Sequence, residues 1–269
     1  MINDFPQTLT IAGSDSGGGA GMEADLKTMQ MRHVFGTTVL VAITAQNTLG
    51  VQKAVPLSPE IINAQFKSIA DDFHIRACKT GMLADSKRVQ TVVNNLKKYD
   101  FGPLVVDPVM VAKGGAPLLT EDAVKTVVDE LLPLADLVTP NLPEAEKLAG
   151  MKIASEDAMV TAAKKIQQLG PKNVLIKGGH LLADDQASDF TILENGDHFW
   201  MSSPRMHTKR THGTGDTISS CIVAELAKGR TLEEAIHIAK QYVTATIIHT
   251  IQVGHGHGPL NHWAAEGGF

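Results

Sequence analysis

Short β-branched runs alternate with longer stretches of helical period along most of this chain, and that alternation restricts the fold more than any single motif. Residues 8–12, 37–44, 77–80, 104–107, 137–139 and 174–177 read as buried strands. The spacing of apolar residues between them predicts helices over 22–31, 59–72, 86–98, 121–132, 143–148 and 157–169. Ser58 before Pro59 reads as an N-cap with proline in the first turn, and Thr231 with Glu234 has capping-box spacing before a run to Ile251. Strands buried on both faces and joined by helices pair in parallel, because each crossover helix covers the sheet. Glu194-Asn195-Gly196-Asp197, between 190–193 and 198–201, adds an antiparallel hairpin on one edge. The expectation is an α/β fold with a central, mostly parallel β-sheet flanked by α-helices and a small antiparallel edge.

With 269 residues, 43% hydrophobic and 20% charged, one domain over 1–269 has enough apolar material for its core. The formal net charge is -5, and the basic residues are scattered, so neither nucleic acid nor a membrane surface is an expected partner. Cys78 and Cys221 are the only cysteines, and both sit in apolar surroundings, which argues against a disulfide framework. No basic leader and no apolar run of spanning length is visible, and the expected location is cytoplasmic.

Ligands in open parallel α/β sheets bind beyond the carboxyl ends of the strands, so polar residues that follow strands carry the functional argument. Foremost is Thr211-His212-Gly213-Thr214-Gly215-Asp216-Thr217, which runs into a helix-like stretch. Gly213 and Gly215 let consecutive backbone N–H groups converge, and a helix starting there adds unpaired donors and the positive end of its dipole. Such an anion hole suits charge that develops during a reaction. A carboxylate inside it repels a resting phosphate, so Asp216 makes sense as the base for a hydroxyl that attacks a transferred phosphoryl group. The same residues also satisfy a plain turn into a helix, with Asp216 as its cap.

Other strand ends add to this. The loop from Gly13 to Gly21 lacks the Lys-Ser/Thr pair of a Walker motif and a clean Gly-x-Gly-x-x-Gly; its glycines let backbone approach a small ring compound, with Asp25 either accepting from that ring or solvated. Asp107, and Glu144 after Asn141-Leu142-Pro143, supply two hard oxygen donors of the kind Mg²⁺ takes, although a first-turn acid also serves the helix dipole. Lys177 ends an apolar strand, where an unpaired ammonium is costly; a phosphate partner relieves that cost, as does a side chain reaching solvent. Met82 follows a strand and is a candidate ligand contact. Gly254-His255-Gly256-His257-Gly258 with His262 lacks the spacing of a preorganised zinc site, so no metal is expected there. The glycines of Lys113-Gly114-Gly115 make it a candidate lid.

Taken in order, Thr10 to Gly21, Ala24-Asp25-Leu26-Lys27-Thr28, Thr44-Ala45-Gln46-Asn47-Thr48, Lys79-Thr80-Gly81-Met82, Val106-Asp107-Pro108-Val109-Met110, Thr139 to Glu146 and Lys177-Gly178-Gly179 resemble the hydroxymethylpyrimidine/phosphomethylpyrimidine kinases of thiamine biosynthesis. The resemblance runs from about Thr8 to the tail. It implies a ribokinase-like fold, usually a homodimer, that transfers the γ-phosphoryl of ATP, with Mg²⁺, to the hydroxymethyl of 4-amino-5-hydroxymethyl-2-methylpyrimidine and then to the monophosphate. Position by position it implies Gln46 as reader of the aminopyrimidine edge, where an amide can donate and accept at once. Gly13, Asp25, Met82 and Val109 line the ring pocket on this reading. Asp107 and Glu144 serve magnesium, Lys177, Thr211, Asn141 and Thr214 face ATP, and Gly213 to Gly215 form the anion hole.

Asp216 stands where that family commonly carries cysteine, while sugar, nucleoside and pyridoxal kinases of the same fold carry aspartate. The carboxylate preserves a base, and the helix N-terminus is expected to keep it ionised. It cannot add to an aldehyde as a thiol can. A pyridoxal or pyridoxine kinase of vitamin B6 salvage is the alternative reading, since both rings carry a hydroxymethyl arm. A binding protein without catalysis is the third, and the presence of Asp216, Asp107 and Glu144 speaks against it.

Overall fold

The computed structural model describes residues 5–110, 119–179, 185–206 and 208–266; the Lys113-Gly114-Gly115 lid candidate lies outside them. Nine strands form one sheet in the order β3-β2-β1-β4-β5-β6-β7-β8-β9. The parallel centre consists of β1 (Gln7–Gly13), β2 (Phe35–Asn47), β4 (Ile75–Thr80), β5 (Leu104–Val106), β6 (Leu137–Val138) and β7 (Asn173–Ile176). The expected hairpin, β8 (Gln186–Ile192) and β9 (His198–Pro204), closes one edge through a turn in which Gly196 takes φ +89°.

The opposite edge departs from the expectation. β3 (Gly50–Pro56) pairs antiparallel with β2, so both edges are antiparallel. Every residue of β3 is exposed, and no burial rhythm marks it in the sequence; its backbone ladder to β2, with Gln52 Nε2 donating to Asn47 Oδ1 at 3.3 Å, holds it in place.

Among the described residues eight α-helices cover the faces: α1 (Gly21–Met31), α2 (Pro59–Asp72), α3 (Ser86–Lys98), α4 (Glu121–Thr126), α5 (Leu142–Ala149), α6 (Glu156–Gln167), α7 (Thr214–Ala227) and α8 (Leu232–Ile248). The single helix expected over 121–132 loosens to a π-turn at Val127–Leu131, and Pro133 then ends it, as a ring without an N–H must. Strand residues alternate between two cores. Leu9, Ile11, Val106, Val138, Val174 and Ile176 face α2, α3 and α6 through Phe66, Val92 and Ile166, while Ala77, Val105, Leu137 and Leu175 face α7 and α8 through Ile222 and Ile236. This period-two division leaves only the strand ends and their loops for polar work. Cys78 and Cys221 are both free and buried. No helix among the described residues is long and apolar enough to cross a membrane.

Candidate active site

A cavity of about 530 Å³ opens beyond the carboxyl ends of the parallel strands. Gly13, Gln46, Met82, Val109, Asp107, Glu144, Asn141, Lys177, Thr211 and the run from Gly213 to Asp216 all line it. Asp25 does not: it is fully buried, with Thr10 Oγ1 donating to it at 2.5 Å and Lys79 Nζ lying 2.6 Å away. The ring contact expected of Asp25 is therefore displaced by an ion pair behind the cavity wall. Such a pair needs a partner from another strand, which local spacing does not disclose.

The loop expected to form the anion hole presents backbone to the cavity. Gly213 precedes α7 with φ +83° and ψ 11°, a left-handed conformation that favours glycine, and no side chain caps the helix. A Cβ on Gly213 would lie 2.0 Å from the carbonyl oxygen of Gly19, so the loops after β1 and before α7 touch through bare backbone. A Cβ on Gly215 would lie 3.0 Å from Asp107 Oδ2 and 3.4 Å from Lys177 Nζ, which places those two charges against the first turn of α7. Gly213→Ala is expected to force these loops apart, lowering Tm by several degrees and kcat/KM by about 10-fold or more; thermal unfolding and initial rates check it.

Lys177 is not an unpaired cation. Its Nζ lies 3.0 Å from Asp107 Oδ1, and Thr139 Oγ1 adds a weaker contact to the same oxygen at 3.4 Å. Burial would lower the Lys177 pKa, but Asp107 first and Glu144 next outweigh it and hold the ammonium above its ordinary range. Glu144 closes a capping box with Asn141: Asn141 N donates to Glu144 Oε2 at 2.9 Å, and Glu144 N donates to Asn141 Oδ1 at 3.0 Å. Thus the helix role and the cavity position coexist in both residues. Burial foremost, with Asp107 adding repulsion against the opposing pull of Lys177, pushes the Glu144 carboxyl up to about 7.

Asp216 keeps 15% of its side chain exposed at the cavity. Burial is the largest influence on it and pushes its pKa up to about 7, against the lowering pull of Lys79; Asp25 and Asp107 raise it further, and the Gly21 N–H lowers it. Desolvation therefore overrides the helix dipole that was expected to keep this group ionised. A carboxyl group that titrates near neutrality is the result.

Two residues of the cavity wall escaped the sequence reading. His212 Nε2 donates to Asp15 Oδ2 at 2.9 Å, and the Gln46 amide nitrogen lies 3.2 Å from the same ring nitrogen, which places Gln46 beside the loop after β1. Asp15 gathers that loop by accepting from Gly17 N at 2.9 Å, Gly19 N at 3.1 Å and Ala20 N at 2.9 Å. Burial alone would raise the Asp15 pKa, but the His212 bond and these N–H donors hold it below the ordinary carboxylate range. The glycine-histidine tail packs behind the same corner, with His257 N donating to Thr48 O at 2.8 Å. No cluster of three or more histidine, cysteine, aspartate or glutamate side chains that could hold a metal ion occurs among the described residues.

The cavity is also lined by Val243, Ile247 and Met206, and by Lys240 and Asp189, whose charges pair at 2.8 Å. It offers an apolar wall with polar groups at its margin.

Comparison with known proteins gives this geometry a lineage. The chain is 52% identical over 265 residues to a hydroxymethylpyrimidine/phosphomethylpyrimidine kinase of Haemophilus influenzae, covering 98% of both chains. Its fold superposes with a TM-score of 0.90 on a Bacillus subtilis pyridoxal kinase solved as an ADP complex, at 36% identity over 98% of this chain and 100% of that one. A phosphomethylpyrimidine kinase of Clostridium difficile matches with a TM-score of 0.79 and 43% identity, over 88% of this chain and 97% of that one. The family model described as phosphomethylpyrimidine kinase matches residues 15–261, and the chain belongs to that family.

Proposed function

We propose that this protein is an ATP- and Mg²⁺-dependent kinase that phosphorylates the hydroxymethyl group of 4-amino-5-hydroxymethyl-2-methylpyrimidine, and then the monophosphate, in thiamine biosynthesis. The observation that carries this reading is Asp216 at the uncapped start of α7, in the same cavity as the Lys177–Asp107 pair. An acceptor hydroxyl beside Asp216 loses its proton to that carboxylate as its oxygen bonds to phosphorus, while Lys177 and the N–H groups at Gly213 to Gly215 face the charge building on the phosphoryl oxygens. Gln46, beside His212, reads the edge of the ring, and Gly13, Met82 and Val109 form its walls. A Cβ on Gly13 would meet the flexible Met82 methyl at 2.5 Å, so the two residues stand against each other at the cavity wall.

The donor set suits Mg²⁺ held through water. Asp107 and Glu144 bring two carboxyl groups to the one ammonium of Lys177 and repel each other, a repulsion that a divalent cation relieves. Asp107 and Glu144 would hold it, and when bound it would neutralise phosphate charge. The ADP of the pyridoxal kinase neighbour supports a nucleotide in the cavity, with its base toward Val243 and Ile247. The open β2–β3 edge, where Ile43 pairs with Val55 and both are half exposed, supports a second copy of the chain as partner.

Coupled ADP release, measured with the pyrimidine alcohol and with pyridoxine at matched concentrations, tests the assignment. A clear excess of kcat/KM for the pyrimidine is expected. A preference for pyridoxine would move the protein to vitamin B6 salvage, the activity that the name of the Bacillus subtilis neighbour indicates.

A further inference from the structure

Lys79, the penultimate residue of β4, has none of its side chain exposed, yet it reaches two carboxylates. Its Nζ lies 2.6 Å from Asp25 Oδ1 and 3.8 Å from Asp216 Oδ1. Asp25 is itself pinned: Thr10 Oγ1 donates to its other oxygen at 2.5 Å, and Ser220 Oγ, one turn along α7 from Asp216, shares its single proton between Asp25 and the Asp216 carbonyl oxygen 2.6 Å away. The charged groups facing Asp216 are Lys79 from β4, Asp25 from α1, Asp107 after β5 and Lys177 after β7. Of the two cations, Lys177 is already engaged by Asp107.

We propose that Lys79 is a positioning residue for phosphoryl transfer, anchored from behind by Asp25 so that its ammonium aims and steadies the Asp216 carboxylate at the mouth of the anion hole. The inference rests on the kinase reading. In the transfer, the acceptor O–H bond breaks and its proton goes to Asp216, an O–P bond forms, and the bond from phosphorus to the ADP oxygen breaks with its electron pair leaving on ADP. Lys79 gives and takes no proton. A buried pair serving the fold alone is replaceable by apolar groups at little cost, so an ammonium kept here and extended toward a second, half-open carboxylate points to work on that carboxylate.

The test exchanges the pair while keeping the buried charge balanced. Lys79→Met alone leaves Asp25 buried without a counter-charge and is expected to unfold more readily, so the informative protein is the double variant Lys79→Met/Asp25→Asn. It is expected to keep its fold and KM for both substrates within about threefold, while kcat falls about 10-fold or more. In an Asp216→Asn background the same double change is expected to lower kcat no further, because Lys79 acts through Asp216. Wild-type kcat in the double variant, an additive loss in the Asp216→Asn background, or loss of the fold despite balanced charge would each overturn the proposal. Absence of kinase activity in the wild-type protein toward either alcohol would instead sink the reading beneath it.

Discussion

Asp216→Asn is expected to lower kcat by about 10²- to 10⁴-fold while leaving KM for ATP within about threefold, because it removes a proton acceptor and keeps the shape of the site. Steady-state kinetics with nucleotide binding measured separately checks this; unchanged turnover would remove the base. The same substitution is expected to stabilise the fold at pH 8. Asp216 has its pKa raised from 3.8 to about 7, so the native state binds the proton more tightly than the unfolded chain does. Its ionisation therefore costs stability progressively as pH rises through that window, and the full cost is present above about 7. Asparagine carries no such cost, and a Tm gain of a few degrees at pH 8 that vanishes near pH 4 is the expected signature. For activity the sign is opposite: the base must be unprotonated, so kcat/KM falls as pH drops below about 7, and a divalent cation beside Asp107 draws that limb lower.

Lys177→Met is expected to be the next most damaging change. Asp107 is 3% exposed and Glu144 is 3% exposed, and Lys177 is the cation whose charge acts on both. Removing one partner of a buried pair costs about 3 to 5 kcal/mol, so the variant should melt well below wild type in the absence of metal. Added Mg²⁺ should recover part of that loss by supplying positive charge near Asp107. Turnover should not recover, since the ammonium facing the transferred phosphoryl group is gone, and a fall of about 10²-fold or more in kcat/KM for ATP is expected. Thermal melts with and without Mg²⁺, paired with ATP-dependent rates, separate the two effects. A variant that melts and turns over like wild type would show that Lys177 serves neither.

Much of the site could be read from residue order because strand ends in a parallel sheet converge on one side. The rule that residues just after an apolar strand face the cavity points to Asp107, Lys177 and Met82, and all three line it. Lys79 carries the same signal as Lys177, a lysine closing an apolar strand, and the argument made for one applied equally to the other. His212 stood inside the most informative motif, yet its partners Asp15 and Gln46 lie 197 and 166 residues away.

What the sequence by itself determined depends on neighbours along the chain: the succession of strands and helices apart from β3, the capping box at Thr231, the parallel centre and the start of α7. The tertiary structure decided which charges meet. Lys177 reaches Asp107 across 70 residues, Lys79 reaches Asp25 across 54, and the exposed strand β3 exists only because β2 offers it an edge. Burial leaves a periodic trace because each side chain turns with the local backbone, whereas a salt bridge or a strand pairing depends on a distance in space that no period encodes.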